Sequence, residues 1–176
     1  MAPLERLRVT FTLGARDLRH LRAVAERASA RAGRRPDRDL TAAARARAGE
    51  VRKFAPPSYV LERVGRLESL IELLEDPDWD PPERVRGRVR AALAYFTDPD
   101  DLIADAVPGL GFLDDAIVIE LLWLELRDEH AAYEGFVRFR QRMDPDSSML
   151  AARRRTLRAK LEARERGPVV RRWLGR

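Results

Sequence analysis

The stretch from residue 91 to residue 124 constrains the fold of this chain more than any other part of the sequence. It joins the densest run of apolar residues to closely spaced aspartates and to the turn formers Pro108, Gly109 and Gly111. Because proline fixes its own backbone and glycine permits positive φ angles, these three residues predict a break between two apolar segments. We therefore expect the stretch to form a helical hairpin through the centre of the fold.

Apolar residues recur at three- and four-residue spacing on both sides of this break, as they do along the buried face of a helix. Before the break they predict a helix over residues 84–97, which ends at Asp98 and Pro99 because proline disfavours a helical conformation in the preceding residue. After the break they predict a long helix over residues 115–142, with Asp114 as its N-cap. This helix is apolar nearly all round at its start, so we expect it to be the most buried element.

The same periodicity extends to the rest of the chain. It predicts helices over residues 15–32, 39–54, 58–75 and 147–165, and a short helical turn over residues 100–107. Ser58 and Asp100 are the expected caps of the third helix and of the short turn. The prediction is an all-α, single-domain bundle of about five or six helices, with Trp79 and Trp123 in its core.

A short N-terminal strand-like arm precedes the helices. Its apolar residues alternate with polar ones, at Leu7, Val9, Phe11 and Leu13, which is typical of a strand. The arm either packs on the helices or pairs with a second copy of the chain. We therefore divide the chain into an extended arm (1–14), a helical core (15–146) and a basic C-terminal helix and tail (147–176).

The run DLIADAVPGLGFLDDAIVI resembles the signature of the YkvA-like family, the bacterial domain of unknown function 1232 (DUF1232). The matching residues are Asp101, Ile103, Asp105, Pro108, Gly111, Asp114 and Asp115; Ala104 stands where the family has proline. Flanking segments extend the resemblance over residues 11–140 and look like a proteobacterial subgroup. The resemblance implies a small helical fold and brings no established activity with it.

The aspartates of this run allow two interpretations. Asp101 and Asp105 share a helix face, and Asp114 and Asp115 follow the turn, so four carboxylates could converge on Mg²⁺, Mn²⁺ or Ca²⁺. Such a cation could activate a water molecule for the hydrolysis of a phosphate ester. Alternatively the aspartates cap helices, bind turn amides or pair with arginines, which requires no ligand. We favour this structural role without a cofactor, and keep the divalent cation as the alternative.

Other possible sites are weaker. Asp76, Asp78 and Asp80 have the spacing of a calcium loop, but Pro81 and Gly87 replace its glycine and its final glutamate, which argues against an EF-hand. His130 and Glu134 lie one turn apart and are expected to form a solvated pair, since two ligands do not make a metal site. The chain has no cysteine, which excludes disulfides, thiol nucleophiles and cysteine-ligated metals. Phosphate-loop, G-x-S-x-G and H-E-x-x-H motifs are absent from the sequence.

Charge is distributed unevenly along the chain. Residues 1–55, 56–146 and 147–176 carry net charges of +8, −11 and +8, so two basic ends flank an acidic middle. The basic C-terminal segment could bind nucleic acid or an anionic membrane surface, or its arginines could be solvated or fold back on the acidic middle. The candidate residues for binding an anion or a partner are Arg153, Arg154, Arg155, Arg158, Arg171, Arg172 and Trp173.

The sequence has neither a signal-peptide pattern nor an uninterrupted apolar run long enough to cross a membrane. We therefore expect a cytoplasmic, non-catalytic scaffold or interaction module that binds a protein partner or associates with itself. A metal-dependent hydrolase, and a peripheral binder of nucleic acid or anionic membrane, are the two alternative functions.

Overall fold

The computed structural model of the protein describes residues 12–33, 35–98 and 111–166. Those residues form six helices and no strand, which confirms the all-α prediction. The helices are α1 (Ala15–Ala32), α2 (Asp37–Lys53), α3 (Ser58–Glu75), α4 (Glu83–Phe96), α5 (Leu113–Met143) and α6 (Ser147–Arg166). Residues 1–11 of the predicted arm, the predicted turn over residues 100–107 and the tail from residue 167 lie outside the described residues.

Prolines mark the beginnings of three helices. Pro36, Pro57 and Pro82 occupy the N-cap positions of α2, α3 and α4. The prediction that Ser58 caps α3 is therefore wrong: Ser58 is the first helical residue, and the carbonyl of Pro57 accepts the hydrogen bond of Val60 N at 3.0 Å. Proline suits these positions because its φ is already close to the helical value and no hydrogen bond is required from its nitrogen.

Helix α5 is the central element, and it contacts α3, α4 and α6 along its length. It runs in the same direction as α3, because Glu120 pairs with Arg63 near the start of both helices and Arg140 pairs with Asp76 near their ends. Helix α4 runs antiparallel to α5, because Tyr95 bonds to Asp114 whereas the earlier Arg88 pairs with the later Glu125. Helix α6 is also antiparallel to α5, because Arg153 lies over Phe139 and Arg158 lies near Glu129. Helices α1 and α2 complete the bundle by packing mainly on α4, with α2 also against α3.

Buried apolar side chains from α1 to α5 form one continuous core. The connection between α3 and α4 contributes Trp79, which is fully buried, as predicted. Its ring lies 5.3 Å from the ring of Phe136 and 5.8 Å from that of Tyr133, both on α5. These aromatic contacts fix the α3–α4 connection against the central helix.

Helix α5 is covered less completely than its sequence suggests. Leu124 has an exposed fraction of 54%, and Leu121 and Trp123 are only half-buried. The expectation that Trp123 belongs to the core is thus met only in part. Of these three residues, Leu121 lines the space between α1, α4 and α5, whereas the Trp123 ring lies 5.3 Å from the guanidinium of Arg66 on α3.

Candidate functional site

The first turn of α5 holds the two described members of the predicted aspartate cluster. Asp114 and Asp115 are both buried, with exposed fractions of 3% and 2%. Gly111 lies in the turn directly before the helix. The remaining signature residues, Asp101, Asp105, Pro108 and Gly109, lie outside the described residues. The convergence of four carboxylates therefore stays a prediction.

Phe112 lies directly before α5 and marks where the helix with the two aspartates begins. Phe112 is the N-cap of α5 and has a φ of 64°, a left-handed conformation that is rare for a bulky residue. Its buried ring lies 5.9 Å from the ring of Phe54 and 5.5 Å from the guanidinium of Arg47. Packing of this ring starts the helix at the next residue, so Asp114 is the second helical residue. The prediction that Asp114 is the N-cap is wrong for this reason.

Asp114 connects α5 to α4. Its Oδ2 atom accepts a hydrogen bond from the hydroxyl of Tyr95 at 2.9 Å, and Tyr95 is 1% exposed. Burying a carboxylate costs free energy unless hydrogen bonds or favourable charges compensate. The hydroxyl of Tyr95 and the positive end of the α5 dipole both stabilise the Asp114 carboxylate. At least one signature aspartate therefore stabilises the contact between the two helices that flank the break.

Within the described residues, no group of three or more histidine, aspartate or glutamate side chains is arranged to hold a metal ion. Asp114 and Asp115 alone supply fewer ligands than the six to eight oxygens that Ca²⁺ takes. His130 is buried, so the expected solvated pair with Glu134 is wrong on that point. The ring of His130 packs 4.5 Å from the ring of Trp123. Burial lowers the pKa of His130, and this effect outweighs the charges of Glu134 and Glu72, which act to raise it.

A second polar cluster, which the sequence analysis missed, surrounds Asp76 at the end of α3. Arg140 binds both carboxylate oxygens, with Nη2 at 2.8 Å from Oδ2 and Nη1 at 3.1 Å from Oδ1. The hydroxyl of Tyr133 donates to Oδ2 at 3.2 Å, and the backbone amide of Asp78 donates to Oδ1 at 3.0 Å. Burial acts to raise the pKa of Asp76, but the bonds and charge of Arg140 outweigh it and hold the pKa below its usual value. The pair spans 64 positions, and no local spacing reveals it.

Two of the predicted anion-binding arginines contact the chain itself. Arg154 donates to the carbonyl of Asp78 at 2.9 Å, and Arg158 donates to the carbonyls of Trp79 and Asp80 at 2.9 and 2.7 Å. The Arg158 guanidinium also lies 4.9 Å from the centre of the Trp79 ring. Both arginines fasten α6 to the connection between α3 and α4.

The other candidates of the basic segment differ in their surroundings. Arg153 is half-buried with its guanidinium 5.5 Å from the ring of Phe139, and Arg155 is exposed. Arg171, Arg172 and Trp173 lie outside the described residues. The described part of the segment thus presents fewer available cations than its sequence suggests.

A groove of about 460 Å³ lies between α1, α4 and α5, and we call it the α1–α4–α5 groove. Its floor is apolar, and includes Leu21, Ala25, Ala91, Val118, Leu121 and Leu122. Glu125 bridges it at one point, because its carboxylate pairs with Arg22 of α1 at 2.5 Å and with Arg88 of α4 at 3.1 Å.

Residues 85–121 match the model of a protein family that is described as "Protein of unknown function (DUF1232)". The match runs from the first turn of α4 into α5 and includes Tyr95, Asp114 and Asp115. Residues 85–121 are thus similar to the DUF1232 region of YkvA-like proteins. The resemblance to YkvA-like DUF1232 proteins that the signature residues predict is thereby confirmed over residues 85–121. The wider extent over residues 11–140 and the proteobacterial subgroup stay predictions.

A curated relative bears the name "Uncharacterized membrane protein YkvA" and comes from Bacillus subtilis (strain 168). It is 38% identical to the chain over 63 residues, which are 32% of this chain and 59% of the relative. The chain therefore spans less than two thirds of the relative's length. No solved structure is matched. Among the described residues of this chain, no helix is both long and apolar enough to cross a membrane.

Proposed function

We propose that this DUF1232 chain is a non-catalytic helical scaffold or interaction module that acts in the cytoplasm. The observation that carries the proposal is the buried hydrogen bond between Tyr95 and Asp114. A catalytic carboxylate has to reach a substrate in an accessible cleft. Asp114 instead faces the neighbouring helix with 3% of its surface exposed. Its position supports a role in holding the fold together.

Several other acidic side chains support the same proposal. Glu120 accepts hydrogen bonds from Arg63 and Arg66, which links α5 to α3. Further pairs join separate helices or connections in the same way: Asp37 with Arg86 and Arg90, Glu75 with Arg45, and Glu68 with Arg52. These acidic side chains therefore pair with arginines of the same chain and link its elements.

Thermal unfolding of chelator-treated protein tests the non-catalytic part of the proposal. Melting temperatures are measured with added Mg²⁺, Mn²⁺, Ca²⁺ or Zn²⁺ for the wild type, Asp101→Asn and Asp114→Asn. We expect no metal-specific increase and a lower melting temperature for Asp114→Asn. Asp128→Asn is the matched control, since its carboxylate is 58% exposed. A metal-specific increase that both signature variants lose would refute the proposal and favour a metal site, because a ligand that binds the native state must stabilise it.

The proposed partner surface is the apolar side of α5 that its neighbours leave uncovered, with Leu124 at its centre. The partner is a protein, a second copy of this chain included. Sedimentation velocity over a range of concentrations tests self-association, and Leu124→Ser should weaken any association that uses this surface. Association that is equally strong in Leu124→Ser would count against this surface.

Cell fractionation tests the location and the remaining alternative. We expect the full chain in the cytosolic fraction. If it instead sediments with membranes and is released by high salt, the basic segment at residues 147–176 would be the binding element, because attraction to anionic surfaces is screened by salt. Loss of that binding on deletion of residues 147–176 would establish peripheral membrane association in place of the scaffold.

A further inference from the structure

Helix α6 is the part of the described fold on which the core depends least. Among the described helices it contacts only α5. None of its described side chains is buried, and Leu150 and Leu157 reach the core only as half-buried residues. The fully buried apolar residues of the described core all lie between Leu21 and Phe136, so α6 contributes none of them. Helix α6 can therefore leave its place while the rest of the bundle keeps its core.

The polar contacts of α6 depend on a matched spacing of donors and acceptors. Arg154 and Arg158 donate to backbone carbonyls of the connection between α3 and α4. Nη1 of Arg158 also lies 3.6 Å from Oε1 of Glu129 on α5. Carbonyls held at fixed positions accept hydrogen bonds only from donors that are placed to meet them. The α6 of an identical chain carries the same donors, so it can make the same contacts from a second copy.

The connection between α5 and α6 is a strained hinge of three residues, 144–146. Asp144 has a φ of 42° and a ψ of 54°, which is a left-handed conformation. Pro145 favours an extended conformation in the residue before it, and a left-handed residue other than glycine stores strain. The folded-back position of α6 therefore holds Asp144 in a conformation that the following proline disfavours.

We propose that two copies of this chain exchange α6, so that each α6 packs on α5 of the other copy. Short hinges under strain favour such an exchange of identical elements. An extended Asp144 directs α6 away from its own α5 and releases the strain. The contacts of α6 are the same in both arrangements, so the hinge decides between them. Met143 and Met149, with exposed fractions of 58% and 43%, flank the hinge and are available for apolar contacts between the two copies.

The protein concentration at which the exchanged dimer forms follows from the hinge. A short connection holds α6 near its own α5 at an effective concentration in the millimolar range. An unstrained hinge would therefore give a dimer only near about 1 mM protein. Two hinges relax in every exchanged dimer, which lowers this concentration about tenfold or more. We expect the exchanged dimer to form at about 0.1 mM protein.

This interface goes beyond the proposed scaffold function and differs from the surface at Leu124. Leu124 is exposed on α5, where α6 does not cover it. The exchange uses the covered side of α5, so Leu124→Ser should leave the exchanged dimer unchanged. The two interfaces can therefore fail separately.

Crosslinking of two single-cysteine variants tests the exchange, because the chain has no cysteine of its own. Asp128 on α5 and Arg164 on α6 are both exposed, and their side chains approach to 3.9 Å. Asp128→Cys and Arg164→Cys are purified separately, mixed at a concentration at which dimers form, and incubated below the melting temperature. The dimer fraction is isolated by size-exclusion chromatography, diluted and treated with a short bismaleimide. Each variant alone is the control.

The expected result is a covalent dimer that joins position 128 of one chain to position 164 of the other, in the mixture and in neither variant alone. Peptide mass spectrometry identifies the joined positions. Crosslinks between two copies of position 128, or between two copies of position 164, would overturn the proposal, because they place the copies side by side without exchange. A dimer that gives no crosslink would overturn it as well, and so would a chain that stays monomeric up to about 1 mM.

The substitution Asp144→Gly tests the role of the hinge. Glycine adopts positive φ angles about as readily as negative ones, so this change removes the strain from the folded-back arrangement. The concentration at which half of the chains are dimeric, measured by sedimentation equilibrium, should rise about tenfold or more. Leu124→Ser is the control and should leave that concentration unchanged. An unchanged concentration in Asp144→Gly, or an equal rise in Leu124→Ser, would overturn the proposal.

Discussion

The substitution Tyr95→Phe removes one hydroxyl from the contact between α4 and α5 and keeps the aromatic ring. That hydroxyl donates to Oδ2 of Asp114 at 2.9 Å, and the two residues are 1% and 3% exposed. A hydrogen bond to a charged group contributes about 1.5–3 kcal/mol, and water cannot replace the lost donor at a buried position. We therefore expect the free energy of unfolding to fall by about 2 kcal/mol. For a chain of this size that corresponds to a melting temperature lower by about 4–8 °C.

Urea unfolding followed by far-UV circular dichroism measures this loss for the wild type, Tyr95→Phe, Asp114→Asn and the double variant. Each single change weakens the same bond, so the double variant should lose about 1–2 kcal/mol less than the sum of the singles. Asp128→Asn is the control: its exposed carboxylate lies 3.9 Å from Arg164, and the change should stay within about 0.5 kcal/mol. A Tyr95→Phe protein as stable as the wild type, or strictly additive losses, would refute the reasoning.

Three further predictions concern α6, the Asp76 cluster and the buried histidine. Arg158→Ala should lower the free energy of unfolding in urea by about 1–2 kcal/mol, because the partly buried carbonyl of Trp79 loses its donor and the Trp79 ring loses the guanidinium beside it. Arg155→Ala, at an exposed position, should change that free energy little. Asp76→Asn should destabilise at neutral pH. Burial acts to raise the pKa of Asp76, but the bonds and charge of Arg140 outweigh it, so the pKa is lowered in the folded protein. The carboxylate therefore stabilises the fold above the unfolded-state pKa of about 3.9. The difference in the free energy of unfolding between Asp76→Asn and the wild type should shrink as the pH falls below that value. Burial lowers the pKa of His130, so the wild type should lose stability as the pH falls below about 6.5, and His130→Phe should remove that part of the pH dependence.

Helix positions could be predicted from the sequence because each helix buries one face, and burial imposes its period on the apolar residues. Helix α3 spans Ser58–Glu75, the range that this period predicts. The residue at which each helix begins was harder to predict from the sequence. Proline occupies the N-cap of three helices, and at the start of α5 the packing of Phe112 takes precedence over the capping preference of Asp114.

The candidate site could be located from the sequence, but its contacts could not. The signature places Asp114 and Asp115 at the start of a helix, while Tyr95, the partner of Asp114, is one of many aromatic residues that a helix could direct inward. Asp76 and Arg140 meet only because α3 and α5 run in the same direction, with α4 between them in the chain. The chain topology brings such pairs together, so the spacing of residues along the sequence cannot predict them.

The extent of the DUF1232 match separates what the family region contributes from what this chain adds. Residues 85–121 supply α4 and the first turns of α5, and with them two walls of the groove and the bond between Tyr95 and Asp114. The third wall is α1, which lies outside the match. Val118 and Leu122 of α5 are buried where α1 approaches them, so the helical hairpin depends on a cover that the family region does not contain. The groove is therefore completed by residues outside the family match.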